Sequence, residues 1–283
     1  MTIDIICPLY NAERYIMDLN KNILKQVDVK INKVIYILTK SKDNSEKILN
    51  ENNCDYDVIE PITFSHSLTR EKYAMQSNAD ILVFITQDIQ IQGDKWLYNL
   101  TKSIKLNECE ACYSKQLCNN NTIEKYIREK NYPGESFVVT SENIGKLGLK
   151  TFFFSDASSA IRKEIFVKLN GYDGKEFPTN EDMYIAYKLI TKGYKIKYCA
   201  DSEVIHSHKF TLKQLYKRYY DTGIFFRQNK YLEKYKVNNA GEELAKYALR
   251  RAIQEKNVKV LFDFIPNMLA RFIGMKMGKS RRN

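Results

Sequence analysis

A run of five apolar residues that ends in a carboxylate constrains this chain most. Ile81 to Ile85 leads directly into Thr86-Gln87-Asp88. Such a run is typical of a strand buried on both faces, as in a parallel sheet covered by helices on each side. Open parallel sheets bind ligands beyond the carboxyl ends of their strands, where a carboxylate can hold a divalent cation and, through it, a diphosphate. The alternative is that Asp88 only caps a turn.

The surrounding pattern predicts an α/β fold with a mostly parallel sheet flanked by helices. Strands are expected at 3–7, 34–39, 56–60 and 81–86, with helices at 12–26, 43–52, 67–78 and 94–106. Further on, the pattern predicts strands at 110–114, 151–160, 195–199 and 203–208, and helices at 162–169 and 181–192. Residues 119–150 are polar and irregular, which predicts a mobile loop over a site.

The charge divides the chain in two. Residues 1–208 carry 27 Lys and Arg against 28 Asp and Glu, a net charge of −1, whereas residues 209–283 carry 18 against 6, a net charge of +12. We therefore expect a globular domain over 1–210 and a basic helical extension over 211–283. Its helices are predicted at 211–235, 242–256 and 258–276, with Pro266 kinking or splitting the last one. A basic amphipathic helix is typical of contact with an anionic membrane surface. The alternatives are a cap packed on the sheet and a homodimer contact.

Several classes of protein are disfavoured. The positive charge is confined to the tail and no nucleic-acid-reading motif is present, so we expect no nucleic-acid partner. Neither G-x-G-x-x-G nor a P-loop occurs. Cys109 and Cys112 form a C-x-x-C without the second pair of a zinc site, which favours buried thiols. The start of the sequence reads as a strand and no apolar run approaches a membrane span, which predicts a cytoplasmic protein with reduced cysteines.

Two carboxylates open the helix predicted at 181–192. Glu181 and Asp182 follow Asn180 directly. Acidic residues in a first turn are favoured by the helix dipole, which is the purely structural interpretation. The functional interpretation is a general base, because a carboxylate on a rigid helix end can take a proton from an incoming hydroxyl.

Three other positions offer ligand chemistry. His206 and His208 would point to the same side of a strand and could share a metal with a carboxylate; the alternative is two hydrogen-bonded histidines at a strand end. Arg70 lies in a first helical turn against the dipole and could meet a phosphate, although a solvated arginine is the commoner case. Tyr10, after the first strand, could stack on a base, or simply belong to an ordinary turn.

Taken in order, these motifs resemble family-2 inverting glycosyltransferases of the GT-A fold. The resemblance rests on Pro8-x-Tyr10-Asn11-x-Glu13, the strand ending at Asp88, the later Glu181-Asp182 and His206-x-His208. More narrowly, the chain resembles bacterial rhamnosyltransferases that use dTDP-L-rhamnose. That match is carried by Phe64-x-His66-x-x-Thr69-Arg70, Phe84-Ile85-Thr86-Gln87-Asp88 with Trp96-Leu97, and residues 154–162 and 204–208. It covers residues 3 to about 223.

The resemblance assigns roles to single residues. Asp182 would be the catalytic base. The donor would be bound by Pro8, Tyr10, Asn11, Glu13, Asp43, His66, Arg70, Gln87 and Asp88. Asp88, His206 and His208 would hold a divalent cation, Mg²⁺ or Mn²⁺, and Trp96, Asp156 and Glu181 would contact the acceptor. The usual metal motif is Asp-x-Asp, and Thr86 stands at its first position here, as in the narrower subgroup.

The resemblance also implies an activity. It predicts a nucleotide-sugar half over about 1–115, an acceptor half over about 116–210, and metal-dependent transfer of L-rhamnose from dTDP-L-rhamnose to a lipid-linked glycan with inversion. Such a protein would work in cell-surface polysaccharide synthesis, peripherally at the inner face of the cell membrane. The alternatives are a UDP-hexose-dependent member of the same family and a non-catalytic nucleotide-sugar binder.

Overall fold

A computed structural model describes residues 1–235 and 240–280. Its strands are β1 (Thr2–Leu9), β2 (Lys30–Thr39), β3 (Tyr56–Ile59), β4 (Ile81–Ile85), β5 (Gln90–Ile91), β6 (Ala111–Leu117), β7 (Phe137–Val139), β8 (Ser158–Arg162) and β9 (Ile196–Ile205). The helices are α1 (Ile16–Leu24), α2 (Ser45–Glu51), α3 (His66–Gln76), α4 (Trp96–Lys105), α5 (Ile123–Asn131), α6 (Ile144–Leu147), α7 (Lys163–Lys168), α8 (Glu181–Thr191), α9 (Leu212–Gln228), α10 (Ala240–Gln254) and α11 (Val258–Ser280).

All nine strands join one mixed sheet. The order along it is β3-β2-β1-β4-β8-β6-β9-β5, and β7 also pairs with β9. The pairs β3-β2, β2-β1 and β1-β4 are parallel, whereas β8 is antiparallel to both β4 and β6. Because β1, β2 and β4 run in the same direction, the loops that follow them meet at one edge of the sheet.

The strand β4 lies at the centre of the core, as its apolar run predicts. All five of its side chains are buried. Leu82 and Phe84 pack into the hydrophobic cluster on one face of the sheet, and Ile81, Val83 and Ile85 pack into the cluster on the other face. Asp88 lies three residues beyond the end of β4. Because β4 is covered on both sides, it holds the start of the loop that carries Asp88 rigidly in place.

The C-terminal helices pack on the rest of the molecule. Phe225 of α9 is fully buried in the main core. The helix α11 lies against α9 at glycines: a Cβ on Gly274 would come within 2.5 Å of the carbonyl oxygen of Tyr216. The helix α10 is joined to α5 by an ion pair between Arg251 and Glu129 (3.2 Å). No helix within the described ranges is both long and apolar enough to cross a membrane.

Three expectations about elements are wrong. Residues 119–150 contain α5, β7 and α6 rather than one mobile loop. The two strands expected at 195–199 and 203–208 are the single strand β9, which ends at Ile205, and the strand expected at 151–160 is β8, over Ser158–Arg162. Pro266 lies inside the continuous helix α11 and does not split it, whereas the kink expected there stays a prediction.

Candidate active site

The loops after β1 and β4 are tied together by the side chain of Gln87. The backbone N–H of Tyr10 donates to Gln87 Oε1 (2.7 Å), and Gln87 Nε2 donates to the carbonyl oxygen of Tyr10 (2.9 Å). The side-chain amide of Gln87 therefore bonds to both backbone groups of Tyr10, as a residue on a neighbouring strand would. The ring of Tyr10 stays 54% exposed at this edge, where it is free to stack on a planar ligand. Pro8 lies within β1, and Asn11 has a positive φ of 48° that turns the chain away from the sheet.

Glu13 and Asp43 join the loops after β1 and β2. Asp43 Oδ2 accepts from the backbone N–H of Glu13 (3.1 Å), and Glu13 Oε2 accepts from the backbone N–H of Asn44 (2.9 Å). Burial alone would raise the pKa of Asp43, but its hydrogen bonds from Ser41, Glu13 and Ser45 outweigh burial and lower it. Both carboxylates thus shape the edge where the sequence analysis placed the donor.

Asp88, His206 and His208 converge on one point beyond β4. His206 Nε2 lies 3.5 Å from Asp88 Oδ1, His208 Nδ1 lies 3.7 Å from Asp88 Oδ2, and the Nε2 atoms of the two histidines are 2.8 Å apart. One ligand atom from each residue lies within 4.8 Å of those from the other two. Within the described ranges, this is the group of histidine, cysteine and carboxylate side chains that could hold a metal ion.

The protonation of these groups suits a cation. Burial lowers the pKa of His206 and outweighs its hydrogen bond to Asp88, which would raise it. Burial, followed by the charge of His206, lowers the pKa of His208 to about 4, so both imidazoles are neutral near pH 7. Burial alone would raise the pKa of Asp88, but the hydrogen bond and charge of His206 outweigh burial and lower it. A metal ion requires neutral imidazoles and an ionised carboxylate. The three residues therefore fit a divalent cation.

Gln116, on β6, orients the ring of His206. Its Nε2 donates to Ser155 Oγ (2.7 Å), while its Oε1 accepts from Arg128 and lies 2.9 Å from His206 Nδ1. This oxygen can only accept, so it favours the hydrogen on Nδ1 of a neutral His206, and the Nε2 lone pair is then available to a bound cation. A partner on the second ring nitrogen orients histidine ligands of metals in this way.

Asp182 lies on the first turn of α8 and lines a cleft of about 200 Å³. Asn180, in the left-handed region with φ 64°, turns the chain into the helix. The cleft is lined by residues 152–155 and by some of the residues in the ranges 124–132 and 180–183. The rest of its lining is formed by Phe210, Leu215, Arg218, Tyr219 and Arg271. Burial, followed by the negative charges of Glu181 and Asp156, raises the pKa of Asp182 well above its usual range. A carboxylate of raised pKa in a cleft is a suitable proton acceptor.

Arg70 and Glu181 form a buried ion pair beneath this helix end. Arg70 Nη1 lies 2.7 Å from Glu181 Oε1, and the two residues are 2% and 8% exposed. The structure therefore places Arg70 against a carboxylate of α8, where its charge is already balanced, rather than against a phosphate. The pair joins α3 to α8 and holds the first turn that carries Asp182.

Two expected acceptor contacts are enclosed by protein. Trp96 is 1% exposed, and its indole N–H lies within hydrogen-bond distance of Ser158 (3.0 Å) and Ser114 (3.2 Å). Asp156 is 2% exposed and accepts from Ser159 (2.7 Å) and Tyr172 (2.8 Å). The structure does not bring Trp96 to the cleft, and Asp156 acts there only through its charge. His66 is exposed, and its ring packs edge-on against Phe64 at 4.9 Å.

Sequence reasoning missed three polar residues of the site. Gln116 and Arg128 come from β6 and α5, and Arg218 comes from the extension. Arg128 and Arg218 lie in segments that the sequence analysis interpreted as a loop and as a membrane-contacting extension. The helical period of the extension could have pointed to Arg218. Arg218 lies three residues after Leu215, on the same side of the helix, and Leu215 is buried in the core.

Comparisons with known proteins agree with this geometry. The family model described as Glycosyl transferase family 2 matches residues 4–169. The O-antigen chain rhamnosyltransferase RfbN of Salmonella typhimurium is 32% identical over 290 residues, which cover 99% of this chain and 90% of RfbN. The O-antigen chain rhamnosyltransferase WbaN of Salmonella anatum is 32% identical over 253 residues, which cover 87% of this chain and 79% of WbaN.

A solved structure shows the same fold. The mannosyltransferase PcManGT of Pyrobaculum calidifontis, in complex with GDP-Man and Mn²⁺, is similar with a TM-score of 0.59 and 14% identity, covering 98% of this chain and 83% of PcManGT. The prediction of a GT-A fold is confirmed, with helices on both faces of a mixed sheet. Because a family model matches more than half of its residues and a 32% identical relative aligns over nearly all of them, the chain belongs to glycosyl transferase family 2.

Proposed function

We propose that this chain transfers L-rhamnose from dTDP-L-rhamnose to a hydroxyl of a glycan acceptor in cell-surface polysaccharide synthesis. The observation that carries the proposal is the meeting of two features beside one cleft. One is the cation-fitting triad Asp88, His206 and His208, which borders the cleft where His208 stacks on Phe210 of its lining. The other is Asp182, which lines the cleft and has a raised pKa. The rhamnosyl group is supported by the 32% identity to RfbN over nearly the whole chain.

Each residue of the site has a separate task. Tyr10 stacks on the base of the donor, and the linked loops of Glu13 and Asp43 shape the pocket around the nucleotide. Asp182 takes the proton from the acceptor hydroxyl as that oxygen attacks the anomeric carbon. Glu181, held by Arg70, keeps the first turn of α8 in place. A bound cation supplies positive charge to the diphosphate.

The stereochemical outcome follows from the number of bases. One carboxylate of raised pKa lines the cleft, and the neighbouring Glu181 and Asp156 are committed to Arg70 and to Ser159 and Tyr172. A single displacement on the face opposite the leaving group needs one base and inverts the anomeric centre. A β-linked donor then gives an α-linked product.

Mn²⁺ is the cation that this ligand set favours. The triad offers two imidazole nitrogens and one carboxylate. Mg²⁺ prefers oxygen ligands and keeps several waters, whereas imidazole suits transition metals. Thr86, at the position of a second carboxylate, leaves the histidines a larger share of the binding.

We also propose that the acceptor is lipid-linked and that α11 lies on an anionic membrane surface. The inward face of α11 is formed by Val260, Asn267, Arg271, Gly274 and Gly278, all buried. Its outward face carries large apolar side chains: Phe262 is 78% exposed, Ile265 is 68% exposed and Phe272 is 65% exposed. No other described segment covers this face.

This arrangement inverts that of an ordinary surface helix, which turns its apolar side inward. Contiguous exposed apolar surface marks a contact with a partner or a membrane. The net charge of +12 over residues 209–283 favours an anionic lipid surface as that partner. A second copy of the chain would carry the same charge and be repelled.

A donor panel tests the proposed activity. Purified protein is incubated with dTDP-L-rhamnose, UDP-glucose, UDP-N-acetylglucosamine or GDP-mannose, with Mn²⁺ and a lipid-linked glycan extract. We expect release of dTDP and an α-rhamnosyl product that NMR identifies. Both should disappear when the cation is removed. The variant Asp182→Asn should also form no product, although it should still bind dTDP. Transfer only from a UDP-hexose would replace the donor assignment. Binding without transfer from any donor would leave a nucleotide-sugar binder, and a β-linked product would contradict inversion.

A further inference from the structure

One arginine of the C-terminal extension faces the site without a carboxylate to balance it. Arg218, on α9, is exposed and lines the same cleft as Asp182. Arg218 packs on the ring of Phe210, which stacks on His208, so Arg218 lies near the point where a cation would bind.

The other arginines of the cleft are already engaged. Arg271 is paired with Glu124. Arg128 donates to Gln116 and to the hydroxyl of Tyr132 (3.4 Å). Across residues 1–235 and 240–280, no carboxylate lies within ion-pair distance of Arg218. Within the same residues, Arg128 also lacks a carboxylate partner, but its N–H groups are bonded to Gln116 and Tyr132. Among the cleft-lining arginines of the described ranges, Arg218 thus keeps both its charge and its N–H donors for a ligand.

Aromatic contacts connect this arginine to the triad. The guanidinium carbon of Arg218 lies 5.6 Å from the ring centre of Phe210, a cation–π distance. The Phe210 ring in turn stacks on His208, with centres 4.9 Å apart and an angle of 28° between the planes. Such stacking restricts the long side chain before any ligand arrives, which reduces the entropy lost on binding.

The charges of the site call for one more cation. A diphosphate-linked sugar donor carries two negative charges, and a third develops on the β-phosphate as the bond to the sugar breaks. Because histidine binds metals as a neutral imidazole, a divalent ion on Asp88 would offer a net charge of only +1 to this ligand. A guanidinium can supply the second positive charge, because it matches phosphate oxygens with two parallel N–H donors.

We propose that Arg218 binds the β-phosphate of the donor and stabilises the departing nucleoside diphosphate. This inference rests on the proposed function. In the transfer, the bond between the anomeric carbon and the β-phosphate oxygen breaks, and its electron pair stays on that oxygen beside Arg218. The acceptor oxygen bonds to the anomeric carbon and its proton passes to Asp182. The extension thereby completes the active site.

Nucleotide binding in the absence of acceptor tests the proposal. Affinities for dTDP and dTMP, and for UDP and UMP, are measured by calorimetry with Mn²⁺ for the wild type, Arg218→Ala, Arg218→Lys and Lys213→Ala. Lys213 is an exposed cation of the same helix that does not line the cleft. We expect Arg218→Ala to weaken diphosphate binding by about tenfold or more while monophosphate binding changes little, since only the diphosphate has a β-phosphate. Arg218→Lys should restore part of the loss, and Lys213→Ala should match the wild type.

Turnover adds a second readout. In donor-saturating assays, kcat of Arg218→Ala should fall while the KM for the acceptor stays constant, because the charge that Arg218 meets is greatest as the bond breaks. An unchanged ratio of diphosphate to monophosphate affinity would overturn the proposal, and so would an effect confined to the acceptor KM. An Arg218-dependent ratio in a protein that transfers no rhamnose would instead refute only the donor assignment.

Discussion

Asp182 is a carboxylate whose surroundings oppose its ionisation. Burial and the neighbouring Glu181 and Asp156 raise its pKa, and Arg70, whose charge would lower it, is paired with Glu181. A raised pKa in the folded state means that the folded protein holds the proton more tightly than the unfolded chain does. Ionised Asp182 therefore destabilises the fold, and this cost grows as the pH rises from the unfolded pKa towards the folded one.

This cost predicts a stabilised but inactive variant. Asp182→Asn removes the titrating group, so its Tm should exceed that of the wild type by a margin that increases with pH from about 4 upward and then levels off. Thermal melts across pH 4–9 measure the margin, and transfer assays should show no product. Asp18→Asn, an exposed carboxylate on α1, should give a margin that does not grow with pH. A margin for Asp182→Asn that shrinks as the pH rises would contradict the raised pKa.

Some of these residues could be foreseen and others could not. Asp88, His206 and His208 stand at the ends of strands, and the carboxyl edge of a sheet is where strand ends meet, so the structure brings together the three residues that the sequence singled out. Arg70 was expected at a phosphate because a first-turn arginine opposes the helix dipole. Its actual partner, Glu181, is 111 residues away and depends on how α3 and α8 pack.

At the level of helices and strands, the segments with a regular apolar pattern were predicted well. The buried run of β4 and the alternation up to α4 gave strands and helices close to those of the structure. Residues 119–150 were wrongly expected to form a loop, because the apolar side chains of α5 pack against α10 and α11 rather than against the sheet. Ile123 and Tyr126 pack with Ala248, Ala252 and Val260, contacts of long sequence separation that a local polar pattern conceals.

The contact between α9 and α11 gives a prediction at this scale. A Cβ on Gly278 would overlap the carbonyl oxygen of Tyr220, and one on Gly223 would come within 2.5 Å of the carbonyl oxygen of Met275. Gly278→Ala should therefore lower the free energy of unfolding by about 1–3 kcal/mol, because backbone cannot move aside as a flexible side chain can. Denaturant unfolding measures it.

Gly241→Ala is the matched control for this substitution. Gly241 also lies in a helix, α10, but a Cβ there would meet nothing within 4 Å. Alanine favours helices over glycine by up to about 1 kcal/mol, so Gly241→Ala should leave stability unchanged or raise it. If both substitutions shifted stability in the same direction, close packing of α9 against α11 would not be their cause.

For the whole molecule, the exposed apolar face of α11 predicts vesicle binding. Phe262→Glu with Phe272→Glu should reduce flotation with phosphatidylglycerol-containing vesicles by about tenfold or more, since each change removes a phenylalanine from the lipid and adds a repelled charge. The Tm should change little because both side chains are exposed. Ile62→Glu, at a residue 94% exposed outside the extension, is the control.

Other outcomes of the vesicle experiment have definite meanings. Flotation of the double variant equal to that of the wild type would remove α11 from the membrane contact. Loss of a dimer in analytical ultracentrifugation, with flotation unchanged, would identify a second copy as the occupant of the face. Flotation that persists on neutral phosphatidylcholine at high salt would show that the basic charge contributes nothing.

The glycine contact between α9 and α11 has a practical consequence for anyone who wishes to purify this enzyme in water. Removing α11 to improve solubility would also strip the packing from the helix that presents Arg218 to the cleft. A chain shortened in this way would lose activity as well as the proposed contact with the membrane. Solubility is better sought by changing outward side chains one at a time, with the backbone of the helix pair left whole.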